Sequence, residues 1–176
     1  MRILIAGLPG TGKSTQAHKI SQNLGFHLIQ MGESLRKIAS EGSELGARIK
    51  DIMHKGELVD DETVAQVIKE AIDEADGNSN IAMEGYPRSV SQVKVFDPGF
   101  DKVFFLSLSE EEMLKRLLDR GRSDDTPEAV KVRIQVQKAG LDEVLREYKD
   151  KGTAVIEIDA SQSIDEVFES IAKNLR

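Results

Sequence analysis

Short apolar runs alternate with longer amphipathic stretches along this chain. The runs are RILIA (2–6), FHLI (26–29), NIAMEG (80–85), KVFFLSL (102–108) and AVIEI (154–158). Each has strand length and is rich in Ile, Val or Phe, which suits a strand buried on both faces. Between them, apolar residues recur at helical spacing. The helical stretches are KSTQAHKISQNL (13–24), ESLRKIASE (33–41), ELGARIKDIMHKG (44–56), DETVAQVIKEAIDEA (61–75), SEEEMLKRLLDRG (109–121), TPEAVKVRIQVQKAGLDEVLREYKDKG (126–152) and SIDEVFESIAKNL (163–175). Ser109 with Glu112 and Ser163 with Glu166 read as capping boxes. Pro127 falls in a first turn, where a missing N–H costs nothing. Such alternation predicts an α/β fold, a parallel sheet with helices on both faces. A stretch at about 30–59 carries helices with no strand and reads as an insertion at the edge of that core. No linker or repeat divides the 176 residues, so the expectation is a single domain over 1–176.

Charge narrows the partners. The net charge is −7, with 24 basic and 31 acidic side chains. Nucleic acid and anionic membranes need a basic surface, so neither is expected. There are no cysteines, which removes disulfides and thiolate zinc sites. His18, His27 and His54 show no ligand spacing. The apolar run in MRILIAGLPG is about four residues, too short for a signal peptide, and no run approaches a membrane span. The expected location is cytoplasmic.

One stretch carries chemistry by itself. GLPGTGKST (Gly7 to Thr15) satisfies G-x-x-x-x-G-K-[ST] between a strand and a helix. Glycines let backbone N–H groups turn inward as an anion nest, and the helix aims its positive end at the same point. Gly10, Thr11, Gly12 and Thr15 supply the cradle. Lys13 brings a charge to the terminal phosphates. Ser14 can serve Mg²⁺ directly or through water. This is a nucleoside-triphosphate cradle. A guanine-reading N-K-x-D is absent from the sequence.

Further motifs follow in order: MGESLR (31–36), MHKGELVDDE (53–62), MEGYPRSVSQ (83–92) and RLLDRGRSDDTPEAVKVR (116–133). Together with GLPGTGKSTQA they resemble the adenylate kinase family of nucleoside monophosphate kinases over nearly the whole chain. The resemblance implies a three-layer P-loop kinase fold with five parallel strands, an acceptor-binding insertion at about 30–59 and a lid at about 117–125. The implied reaction passes the terminal phosphoryl group of Mg·ATP to AMP and gives two ADP. Lys13, Arg88, Arg120, Arg122 and Arg133 would act on the transferred group. Arg116 and Gln162 would flank the donor base. Arg36 and Arg88, with Arg122 and Arg133, would grip the acceptor phosphate. Met31, Met53, Glu57, Leu58, Val59, Gly85, Tyr86 and Gln92 would line the acceptor. Glu84 would join Ser14 at magnesium through water, and the Tyr86–Pro87 bond would be cis.

Elementary chemistry agrees with that set. Phosphoryl transfer needs positioning and charge neutralisation. Arginine supplies both, being planar, always charged and able to hold phosphate with two N–H groups. Arg116 and Arg120 stand four apart, on one helix face.

Three features depart from the family pattern. The lid is very short, with only Gly121, Arg122 and Ser123 between Arg120 and Asp124. Met31 stands at a usual threonine, and Glu33 and Glu84 at usual aspartates. The expected partners are ATP and AMP, with ADP in reverse. A monomer is the default, and a second copy is the alternative cover for the short lid. Two other readings stay open: a UMP/CMP kinase on the same scaffold, and a nucleotide-binding switch without turnover.

Overall fold

Each apolar run is a strand. In the computed structural model, which describes residues 1–75, 80–120 and 126–175, with Arg120 described by its backbone alone, five strands form one parallel sheet. They are β1 (Arg2–Ala6), β2 (His27–Gln30), β3 (Ile81–Glu84), β4 (Lys102–Ser107) and β5 (Ala154–Asp159), in the order β2-β3-β1-β4-β5. Successive β1 side chains point to opposite faces. Leu4 and Ala6 enter one core, and Ile3 and Ile5 the other. Both cores need cover, which is why β1 and β3 are almost unbroken apolar runs.

The helices are α1 (Lys13–Leu24), α2 (Met31–Ser40), α3 (Glu44–Lys55), α4 (Asp61–Glu74), α5 (Val90–Val95), α6 (Glu110–Arg120), α7 (Pro127–Asp150) and α8 (Ile164–Lys173). Ala17 and Ile20 of α1 and Val167 and Ile171 of α8 close the face carrying Ile3 and Ile5. The other face is closed by residues of α2 to α5 and by Val144, Leu145 and Tyr148 of α7. Fully burying one such aliphatic side chain contributes about 1.5–3 kcal/mol. None of the helices among the described residues is long and apolar enough to cross a membrane.

Side-chain caps fix several helix starts. Ser43, Asp60, Ser89, Thr126 and Ser163 each accept a backbone N–H from the first turn of α3, α4, α5, α7 and α8. The Ser163–Glu166 capping box is complete in both directions. The Ser109–Glu112 pair is only half of one. Ser109 Oγ accepts the Glu112 N–H at 3.3 Å, but the Glu112 carboxylate accepts from Arg116 Nε at 3.1 Å, one turn along. Two further points differ from the sequence expectation. The helix expected from Glu33 begins at Met31, directly after β2. A short helix, α5, follows the EGYPR segment; six residues are too few to show a helical period. The Tyr86–Pro87 bond is cis, as expected.

Candidate active site

Because β1 is flanked by β3 and β4, the connections leaving its carboxyl end diverge and open a crevice. The glycine loop fills the base of that crevice. Gly10 has φ of +86°, and a Cβ there would lie 2.7 Å from the Met113 carbonyl oxygen of α6. Only glycine allows the loop to press so closely on α6. Gly12 is the N-cap of α1 and caps it with no side-chain bond, and no acidic residue occupies its first turn. The N–H groups of that turn are therefore left to an anion. Thr11 Oγ1 and Lys13 Nζ both donate to the Leu8 carbonyl, at 2.9 and 2.8 Å, which fixes the loop's shape. Ser14 Oγ donates to Glu84 Oε1 at 3.0 Å, and Gln30 Nε2 donates to the same oxygen at 3.2 Å.

Opposite the loop, arginines arrive from separate elements. Arg36 projects from α2 and pairs with Glu33 at 2.7 Å. Arg88 lies between β3 and α5; its Nε donates to the Gly85 carbonyl at 2.9 Å, and its backbone N–H donates to Gln92 Oε1 at 2.8 Å. Arg133 comes from α7. Burial pulls the Arg88 guanidinium below the usual arginine range; the Glu84 carboxylate opposes that, while Arg133 and Arg36 add to it. Three arginines close enough to act on one another's charge make this wall suited to an anion. Arg116 of α6 donates through Nη1 to the Ala160 carbonyl at 3.2 Å.

These groups share one cavity of about 570 Å³. Its wall includes the loop from Gly10 to Thr15, together with Arg36, Glu84, Arg88, Arg116 and Arg133. Met53 and Gln162 stand on the same wall. Other expected residues lie elsewhere. Met31 is 1 % exposed and packs in the core with Met83 and Leu35, because α2 starts at this residue and turns it onto the sheet. Val59 is buried in that core, Leu58 is half-buried and Glu57 is exposed. Gln92 is buried with its amide oxygen committed to Arg88. Gly85 and Tyr86 line a second cavity of about 30 Å³, which Lys13 and Arg88 also line. The Tyr86 hydroxyl lies 2.9 Å from the Gln92 carbonyl and 2.5 Å from the Phe96 carbonyl, with its one proton to share between them, fastening α5 behind the Arg88 segment. Burial pushes that hydroxyl's pKa up. The Arg120 side chain, Arg122, Asp124 and Asp125 lie outside the described residues, as does most of the expected lid.

Sequence reasoning missed Gln137, a buried polar residue on the cavity wall one turn beyond Arg133. The spacing of four on one helix is the signal that could have found it. It also missed the apolar wall made by Leu117, Ile164 and Val167, whose spacing reads as ordinary helix-core pattern.

Magnesium can be weighed against the donor set. Among the described residues, no group of three His, Cys, Asp or Glu side chains gathers as a cage. Mg²⁺ rarely uses such a cage. It keeps several waters and takes one or two protein oxygens plus phosphate. The Ser14 hydroxyl and Glu84 carboxylate, 3.0 Å apart beside the anion nest, fit that habit.

Comparison with known proteins follows the same line. The family model described as adenylate kinase matches residues 5–153. An adenylate kinase of Mycobacterium ulcerans is 36% identical over 175 residues, covering 96% of this chain and 95% of its own length. One from Prochlorococcus marinus (strain MIT 9301) is 35% identical over 181 residues, covering 98% and 97%. One from Azobacteroides pseudotrichonymphae is 33% identical over 186 residues, covering 99% and 97%. With a phosphate cradle facing an arginine cluster, and similarity along nearly the whole length, the chain belongs to the adenylate kinase family of phosphotransferases.

Proposed function

We propose that this protein transfers the terminal phosphoryl group of ATP to AMP, reversibly, giving two ADP. One observation carries the reading: the glycine loop and the Arg36–Arg88–Arg133 cluster line a single cavity. A triphosphate in the loop would point its terminal group at the arginines. A monophosphate held by those arginines would stand in line with it.

The chain's own residues do most of the work. Lys13 and the α1 N-terminus hold the donor phosphates. Arg36 and Arg88 hold the acceptor phosphate, and Arg133 neutralises charge at the point of transfer. Arg116 lies along the donor base with Gln162. The helices at about 30–59 form the acceptor-side wall. Mg²⁺, held by Ser14 and by Glu84 through water, would supply charge neutralisation to the donor phosphates. Met53 on the cavity wall serves the acceptor base, and Gln92 acts behind it by holding the Arg88 backbone N–H.

A transfer assay with Mg·ATP and AMP, UMP, CMP or GMP, each alone, tests this. ADP formation fastest with AMP is the expected result. Faster turnover of UMP or CMP would move the protein to the pyrimidine branch. Phosphate release without any acceptor product would overturn the reading.

A further inference from the structure

The cavity wall holds one polar side chain that the reading above leaves without a task. Gln137 of α7 is 9 % exposed. It lines the main cavity and also the small one behind Lys13 and Arg88. Its amide forms no hydrogen bond with another described residue. A carboxamide brings two donors and an acceptor; among the described residues only Gln16 Oε1 is a fully enclosed side-chain polar atom without a partner, so the Gln137 amide opens onto the cavity. Such a group in a ligand cavity has its partner on the ligand.

Packing fixes where the amide sits. Gly140, one turn later on α7, lies so close to the Arg88 carbonyl that a Cβ there would overlap it. Leu141 lines the small cavity beside Gln137. Arg133, one turn earlier, lines the main one. This face of α7 is thus pinned along the Arg88 segment, and Gln137 is held at the junction between Lys13 and the arginines. Among the described residues, the charged side chains on the main cavity wall are Lys13, Arg36, Arg88, Arg116 and Arg133 with the single carboxylate of Glu84, so cations predominate and the ligand group meeting the amide is an anion. A neutral donor adds direction there without adding a further positive charge to a crowded cluster.

We propose that Gln137 is a phosphate-binding residue of the transfer site, whose Nε2–H₂ donates to an oxygen of the phosphoryl group where the glycine loop meets the arginines. The proposal rests on the phosphoryl-transfer reading.

Gln137→Met keeps the side chain's length and removes the amide. Losing one donor to a charged phosphate should lower kcat for ATP plus AMP by roughly tenfold or more, with little change in either KM. Because the amide bonds to no described residue, the apolar replacement removes no hydrogen bond among them, and Tm should hold or rise. A structural amide would move Tm the other way. A fall in kcat of more than fivefold with Tm at or above wild type supports the proposal; a smaller fall, or a lower Tm, overturns it. The wild-type protein gives a second test that needs neither the variant nor turnover. The Gln137 side-chain N–H resonances should shift when the β,γ-imido analogue of ATP is added together with AMP and Mg²⁺. Unmoved resonances at saturation overturn the proposal. Since that experiment reads binding alone, absence of ATP-to-AMP transfer in the wild type would sink the functional reading without deciding this one.

Discussion

The two sides of the cavity are built in opposite ways. The glycine-loop side is one continuous segment, Gly7 to Thr15, shaped by bonds within itself such as Lys13 Nζ and Thr11 Oγ1 to the Leu8 carbonyl. The arginine side is assembled from α2, the β3–α5 connection and α7, which bring Arg36, Arg88 and Arg133 from positions nearly a hundred residues apart. A local site needs only its own strand and helix. An assembled site needs the whole fold, and each of its charges depends on how well other elements are packed.

That contrast yields tests of decreasing size. Lys13→Met removes the donor-side charge without touching the elements that carry the arginines. Transfer should fall by on the order of a thousandfold or more, because a charge aimed at the developing transition state is lost. The melting curve should stay close to wild type. A kcat within about tenfold of wild type would break the assignment of Lys13 to the reacting phosphates.

Arg88→Lys sharpens the difference between the sides. Lysine keeps the charge but loses the planar fork and the Nε bond to Gly85, so kcat/KM for AMP should fall by about a hundredfold. Direct binding of ATP, measured by calorimetry, should change by less than about threefold. Equal loss on both nucleotides would show that the two sides are not separable.

Asp97→Asn probes the packing behind the assembled side. Burial works against the Asp97 charge, but Lys151 at 2.7 Å, the Gly99 N–H and the Tyr148 hydroxyl outweigh it and hold the carboxyl below the usual range. A depressed carboxyl stabilises the fold above its unfolded pKa of about 3.9, and that stability is lost as pH falls through the folded value. The pair is partly exposed, so the variant should lose only about 1 kcal/mol at pH 7. The gap between the two melting curves should close in acid. A gap that stays constant down to pH 3 would contradict the shift.

The same contrast explains how much was legible in the sequence. The glycine loop was readable from nine residues, because its chemistry and geometry are both local. The sheet and most helices followed from periodicity, since a strand buried on two faces has few alternatives. The arginines were readable only through the order of their motifs. Met31 shows where pattern stops: the same residue suits a base pocket or a core, and the start of α2 two residues before Glu33 turns it inward. Glu112 shows it again, since a capping box and an ion pair with Arg116 compete for one carboxylate. Gln137 was only half legible: its spacing of four from Arg133 marks the face of α7, but nothing in a long helix marks which segment will meet that face. Only the close approach of Gly140 to Arg88 reveals it.

The central claim is that one cavity holds both nucleotides with their phosphates end to end. Calorimetry with two adenosines joined through five phosphates tests it most directly. One molecule should bind per chain, and that complex should exclude both ATP and AMP. Binding of two molecules per chain, or exclusion of only one of the nucleotides, would contradict a shared cavity.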